Sequence, residues 1–220
     1  MNSSRISENN DCTDLFQQAY ENRYTWGDNF NGYQGECILE YENQSYKAEF
    51  AVSKELKVIV DGLIEEKIKK EIESQLWEVA IHRVRRTFKS VHGSNTFRAG
   101  GINELGQEVL VGGKNKGDKY RVKDNVVTMV NRHIHGNLII IYTTQIIDTG
   151  IGYLSKAYNS QYFNPITNKP KGPKSYFIDE FISLTDQGLW FLSKRQISIE
   201  PSKDIDLDYK NFTFNNINLL

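Results

Sequence analysis

"NLIIIYTTQII", residues Asn137 to Ile147, decides how the rest of the chain is read. A strand with one wet face alternates apolar and polar residues. Here Leu138, Ile140, Tyr142 and Ile146 fall on one face, and Ile139, Ile141 and Ile147 on the other. Both faces are therefore expected to be covered. Cover on two sides has to come from helices or plugs elsewhere in the chain.

One long stretch has a helical period. From Ile64 to about Phe88, the residues Ile64, Ile68, Ile72, Leu76 and Ala80 recur every fourth position, with charged residues between them. Steps of four overshoot a 3.6-residue turn, so the apolar stripe drifts around the helix. Trp77, Ile81, Val84 and Phe88 then point well over 90° away from Ile68 and Ile72. Such a helix bends near Ser74-Gln75 or packs its two halves on different partners. A helix lying in the hollow of a curved sheet does the second.

A shorter amphipathic helix is expected over "DLFQQAYENRY", where Leu15, Phe16, Ala19, Tyr20 and Tyr24 are spaced three to four apart. Asp11 or Thr13 would serve as its N-cap. Next comes "YENRYTWGDNFNGYQG", Tyr20 to Gly35, with Tyr20, Tyr24, Trp26, Phe30 and Tyr33 set among Asp, Asn and Gly. Burying such rings stabilises by roughly 1.5–3 kcal/mol each, enough to hold a plug without regular secondary structure. Tyr and Trp also keep a polar end for a rim. This segment is expected to form the second cover, or to close the mouth of the hollow.

The remainder alternates strand and turn. "NTFRAGG", "QEVLVGG", "KYRVKDNVVTMVNRHIHGNLIIIYTTQIID", "GYLSKAYNSQYF", "KSYFIDEFISL", "GLWFLSKRQISI" and "YKNFTFNNI" are punctuated by Gly, Asn, Asp and Pro. Strands that follow one another without helices form an antiparallel meander. The expected fold is α+β: a curved antiparallel sheet, a half-barrel of about nine or ten strands, wrapped around one long helix, plus a short N-terminal helix. Residues 1–11 are expected to be a disordered N-terminus and residues 12–220 a single domain.

Several chemistries are weakened by the residues themselves. The formal net charge of −1 supplies no field for nucleic acid. Cys12 and Cys37 lack metal-type spacing and are read as reduced thiols of a cytosol-like compartment. No secretory signal and no spanning helix is expected, since "MNSSRISENNDC" has no apolar core and no run of eighteen apolar residues occurs. Asp148-Thr149-Gly150 matches the aspartic-protease triplet, but that chemistry needs two carboxylates and the triplet occurs once. It reads as a turn. His133 and His135 share a strand face without a convincing third ligand. Gly112 and Gly117 have Walker-like spacing with Asp118 where the Lys belongs. The basic run "HRVRRTFK" suits the C-terminal end of a helix, or an anion.

Two resemblances add to this reading. "AYENRYTW", "HRVRRTF", "HGSNTF", "LVGG", "YRVKDNVV" and "DTGIGYLSKAYNSQYFNP", in that order, resemble a family of unassigned function found mainly in cyanobacteria, with relatives in photosynthetic eukaryotes. The chain departs from that family's pattern at Gly27 and Asn31. The resemblance implies a phototroph, a cytoplasmic or plastid-stromal setting, and no reaction. In shape, a helix packed in a long curved sheet resembles the LolA/LolB-like lipoprotein carriers, which hold acyl chains in an apolar hollow. The expected function is non-catalytic: binding or carrying a lipid, pigment or isoprenoid. Tyr24, Trp26, Phe30 and Tyr33 would line the mouth, and Arg85 and Arg86 would anchor an acidic headgroup. No cofactor, catalytic residue or metal is implied; peripheral membrane contact is compatible with this reading. The alternative is an interaction or assembly factor of the photosynthetic apparatus, its aromatic segment meeting a protein partner.

Overall fold

The structure, a computed structural model, describes residues 11–28, 30–184, 188–201 and 209–220. All but the last residue of the expected disordered N-terminus therefore lies outside the described residues. The chain opens with α1 (Thr13–Glu21) and lays down β1 (Gly32–Tyr41), β2 (Gln44–Ser53) and β3 (Val58–Asp61). Two helices follow, α2 (Glu66–Arg83) and α3 (Phe88–His92). Nine strands complete it: β4 (Asn95–Asn103), β5 (Gly106–Gly113), β6 (Lys119–Lys123), β7 (Val126–Ile134), β8 (Asn137–Asp148), β9 (Tyr153–Phe163), β10 (Ser175–Ser183), β11 (Trp190–Ile199) and β12 (Tyr209–Leu219).

All twelve strands join one open antiparallel sheet, in the order β3-β2-β1-β12-β11-β10-β9-β8-β7-β6-β5-β4. The expected nine or ten strands are thus too few. Three of the expected turn signals close their hairpins. Glu42-Asn43, Asp124-Asn125 and His135-Gly136 all take positive φ, the geometry of two-residue turns that match strand twist. Asp148-Thr149-Gly150 is a turn as well, with the Gly150 N–H donating to the Asp148 carboxylate at 2.8 Å.

The long helix is shorter than its hydrophobic period suggested. It begins at Glu66, leaving Ile64 almost wholly exposed, and ends at Arg83. Its buried stripe is Ile68, Ile72, Gln75, Leu76, Val79 and Ala80. Gln75 and Val79 supply the steps of three that a run of fours lacks, so the stripe does not drift. Trp77 falls outside it, 46 % exposed. Phe88 belongs to the separate helix α3, where the Thr87 side chain caps by accepting from the Ser90 N–H. At α1, Asp11 accepts from both the backbone N–H and the hydroxyl of Thr13.

Two cores lie on the same side of the sheet. Cross-strand register carries one face across the strands. Tyr120 is opposite Val130, Val130 opposite Ile141, and Ile141 opposite Ser160. Tyr158, two residues from Ser160, lies opposite Phe177, and Phe177 opposite Ile197. At one end of this inner face, α1 and α3 pack on Phe97, Val109, Val111, Tyr120 and Val122. At the other, α2 packs on Leu39, Phe50, Val60, Phe212 and Phe214. Ile139 is buried and Ile141 half-buried on this side. The outer face of β8 carries no helix among the described residues. There Leu138 is buried near the loop tied back through Phe163–Pro170 and Lys171–Asn137, while Ile146 is 40 % exposed. Cover on both faces holds for the start of β8 and fails towards its end.

Candidate ligand-binding trough

Between the two cores, the middle of the inner face lies beyond the strands on which the helices mainly rest, and α2 reaches it through side chains, Glu78 to Tyr158 and Gln75 to Arg195. α1 lies against β4, β6 and β7, and α2 against β2 and β3. The inward residues of β8–β10 that remain are half-buried: Ile141, Tyr158, Ser160 and Phe177, with Tyr162 49 % exposed. They form the floor of a trough with α2 on one bank and α1–α3 on the other. Tyr158 and Phe177 stack with ring centroids 4.6 Å apart.

The aromatic segment crosses one end of this trough as a strap. The Tyr24 N–H donates to the Tyr153 carbonyl, and the Tyr153 N–H donates to the Asn22 carbonyl, both at 2.9 Å. So close an approach requires Gly152. A Cβ there would stand 2.8 Å from the Asn22 oxygen, and its φ is +146°. Further along, the Trp26 N–H donates to the Arg83 carbonyl (2.7 Å). The Tyr24 hydroxyl donates to the Gly188 carbonyl and accepts from the Trp190 N–H, while the Trp26 indole N–H donates to the Trp190 carbonyl. Tyr20 belongs to the α1 core, whereas Tyr24, Trp26, Phe30 and Tyr33 belong to the α2 core. The strap therefore joins the two. Trp26 and Phe30 stack at 4.0 Å, and Tyr33 packs its ring against Phe50 and Phe191. Tyr33 is on β1 rather than in a loop.

At the strapped end the floor itself divides. β9 and β10 pair from Ser160–Ser175 to Ala157–Ile178. Beyond that, β9 continues only with β8, as far as Tyr153, and β10 only with β11, as far as Ser183. The two hairpins part here. Arg83, last residue of α2, stands at this place, its guanidinium 5.4 Å from the Phe181 ring centroid.

A buried polar network pins α2 to the floor. Arg195 and Asp179 face each other across β10 and β11. Nε and Nη2 of Arg195 donate to the two Asp179 oxygens at 2.8 and 2.7 Å. Its Nη1 donates to Gln75 Oε1 (2.9 Å) and its Nη2 also to the Tyr158 hydroxyl (2.8 Å). That hydroxyl donates to Glu78 (3.2 Å). Burial alone would lower the Arg195 pKa, but Tyr158 and Asp179 raise it above its ordinary value. The bidentate pair is the strong form of this contact. Gln75 and Glu78 lie on α2 and Tyr158 on β9, so one guanidinium ties three elements together. This network was not foreseen from the sequence. Its only local sign is Gln75 interrupting an apolar stripe.

Of the predicted site residues, Tyr24, Trp26, Phe30 and Tyr33 are brought together, and all four are buried as packed core at 6 % exposure or less. Arg85 and Arg86 are exposed, in the link between α2 and α3 beside the strap, where Trp26 bridges Val84. Two surface depressions, of about 350 and 450 Å³, lie elsewhere, beside Trp77 and beside Glu36 and Lys47. His133 pairs with the buried Asp118 (3.2 Å), and no grouping of three metal-ligating residues occurs among the described residues. Both cysteines are buried and free, and burial pushes the Cys37 thiol up to about 12. No helix among the described residues is long and apolar enough to cross a membrane.

The fold and this trough define a class: an open, mostly antiparallel sheet holding helices on one face. Residues 7–220 match a family model described as protein of unknown function DUF3386, and the chain belongs to that family. No curated protein matches it. Among solved structures, it is similar to an outer membrane lipoprotein-sorting protein domain, so described, from Vibrio parahaemolyticus. That match has 6 % identity and a TM-score of 0.40, over 94 % of this chain and 91 % of the other. A LolA superfamily protein from Nitrosomonas europaea is similar at 7 % identity and TM-score 0.32, over 96 % and 94 %. A DUF1329 family protein from Desulfovibrio piger is similar at 10 % identity and TM-score 0.28, over 94 % and 90 %.

Proposed function

We propose that the protein binds, without transforming it, a hydrophobic or amphipathic small molecule such as a lipid, pigment or isoprenoid, in a phototroph. The observation that carries this reading is the trough. Between two closed cores runs a strip of half-buried floor, from Ile141 through Ser160 and Tyr158 to Phe177, which α2 meets along one side, where Phe177 joins its core and Tyr158 bonds to Glu78. Apolar surface left in a concave place is where small-molecule sites occur. The polar groups that do converge, around Arg195, satisfy one another, which favours a binding role over a catalytic one. In this reading Tyr24, Trp26, Phe30 and Tyr33 build the closed end, and Arg85 and Arg86 stand at its outer rim.

The test is native mass spectrometry with an absorbance scan on protein purified from a phototroph host. A co-purified lipid or pigment is the expected result; a clean apo mass that also takes up no added lipid would end the reading. Trp26→Ala tests the strap: a chain still folded with ligand lost supports a binding role, and a collapse of folding makes the rings structural alone. The expected cost of this substitution is about 3–5 kcal/mol in urea denaturation, the usual loss for a buried Trp, with ligand lost as the closed end loosens.

The assembly-factor reading has one observation in its favour. Tyr176 and Ile178, alternating with the inward Phe177 and Asp179, are exposed on the outer face of β10. A stoichiometric protein partner in the same purification, with no small molecule, would select it.

A further inference from the structure

We infer that Arg83 is the seat for the singly charged oxyanion head of an amphiphile whose chain lies along the trough. The inference rests on the binding role proposed above and names the chemistry of what is bound. Arg83 stands at the strapped end, where the hairpins part, with its backbone fixed by the Trp26 N–H. Its Nε is shut off from solvent and has no hydrogen-bond partner. Among the described residues it has no ion-pair partner either. Asp179, the acid that acts on it, and Glu78 of the adjoining network are both taken. Asp179 gives both oxygens to Arg195, and Glu78 accepts from the Tyr158 hydroxyl and lies 3.6 Å from Arg195.

An enclosed guanidinium N–H with no acceptor is uncommon in folded proteins. The acceptor whose shape fits a guanidinium fork is a carboxylate or phosphate oxygen. Its surroundings decide what else that anion carries. The Phe181 ring lies against the guanidinium, and the half-buried Phe177 and Tyr158 rings, which also flank Arg195, continue along the floor. Those surfaces receive a hydrocarbon chain rather than a free ion. One unpaired cation receives one negative charge. Burial lowers the Arg83 pKa to about 10, so the group stays charged at neutral pH in a setting that an anion would relieve. A fatty-acid carboxylate and a lipid phosphodiester share this chemistry.

Isothermal titration calorimetry on the full chain, with laurate, dodecanol and 1-lauroyl-lysophosphatidylglycerol as probes, tests the assignment. The wild type is expected to bind laurate about tenfold more tightly than dodecanol, as a charge-assisted hydrogen bond implies. Arg83→Gln should bring the two within about twofold by weakening laurate alone. Arg83→Met, which keeps the apolar stem, gives the same reading should the glutamine variant fail to fold. Lysophosphatidylglycerol that follows laurate through the variants shows that the seat takes a phosphodiester; following dodecanol restricts it to a carboxylate. Both patterns support the seat. A laurate preference that survives Arg83→Gln and Arg83→Met, or that is lost instead in Arg85→Gln/Arg86→Gln, overturns the assignment and leaves the binding role intact. Equal binding of laurate and dodecanol by the wild type does the same. Failure of all three probes to bind removes the binding role and this inference together.

Discussion

The two cores meet the same requirement, covering one face of the sheet, and both pack rings to do it, but they hold their helices differently. The α1–α3 core uses short helices and rings. Phe16 is its hub, with Tyr20, Phe88, His92, Phe97 and Tyr120 at centroid distances of 4.4–6.4 Å. Helices of nine and five residues are too short to persist alone, so their order comes from this packing. The α2 core uses one long helix and polar pins. Arg195 reaches Gln75, and Lys210 pairs with Glu71 at 3.1 Å. Apolar packing alone lets a long helix slide or rotate over a sheet. Directional bonds set its position.

That contrast can be broken at several points, beginning with the largest effect. Arg195→Met should cost about 3–5 kcal/mol in urea denaturation, because it leaves Asp179 buried without its partner. The double variant Arg195→Met/Asp179→Leu should recover more than half of that loss. A double variant as unstable as the single would mean that the pair contributes through something other than mutual charge satisfaction.

The α1–α3 core should also be sensitive to acid, a sensitivity it shares with His82 of α2, which burial and then Arg83 push down to about 4. Burial, and then Arg132 and Arg23, push the His92 imidazole down to about 4; Asp118 acts in the opposite direction, and Asn95 donates to its ring. An unfolded His titrates near 6.5. Between those values the unfolded chain takes up a proton that the folded chain does not, so stability is intact above about pH 6.5 and falls as the pH drops towards 4. The expected loss is about 3 kcal/mol. Denaturation midpoints across this range measure it, and His92→Phe should flatten the profile in part; an unchanged slope in that variant would assign the acid sensitivity to other groups. The smallest effect is expected at Thr87→Ala, about 1 kcal/mol from the lost cap of α3. Hydrogen exchange should show it confined to α3 and its neighbours in the α1–α3 core.

Much of this architecture was legible because it is local. Turn residues marked the hairpins, and the alternation in β8 assigned its faces correctly. The segment from Tyr20 to Tyr33 had too many rings to stay in water. The strand count fell short, and β1 begins at Gly32, inside what reads as loop. The helix end at Arg83 was missed because apolar spacing continued through Val84 to Phe88, although those residues serve a different core. The polar network was illegible for a different reason. Gln75, Tyr158, Asp179 and Arg195 come from four elements, and Gln75 and Arg195 are 120 positions apart. No spacing rule connects them. Arg83 lay within the basic run noticed in the sequence, but only packing distinguishes it from Arg85 and Arg86.

The short ladder between β9 and β10 has a mechanical meaning. Each neighbouring hairpin is laced along most of its length, so the line of least resistance to bending runs through Ser160–Ser175 and Ala157–Ile178. On the inner face the Arg195–Tyr158 bond spans this seam, and at one end the strap spans it too, from Tyr153 to Gly188 and Trp190. Flexing there would strain that bond, so the network that places α2 also stiffens the weakest seam beside it.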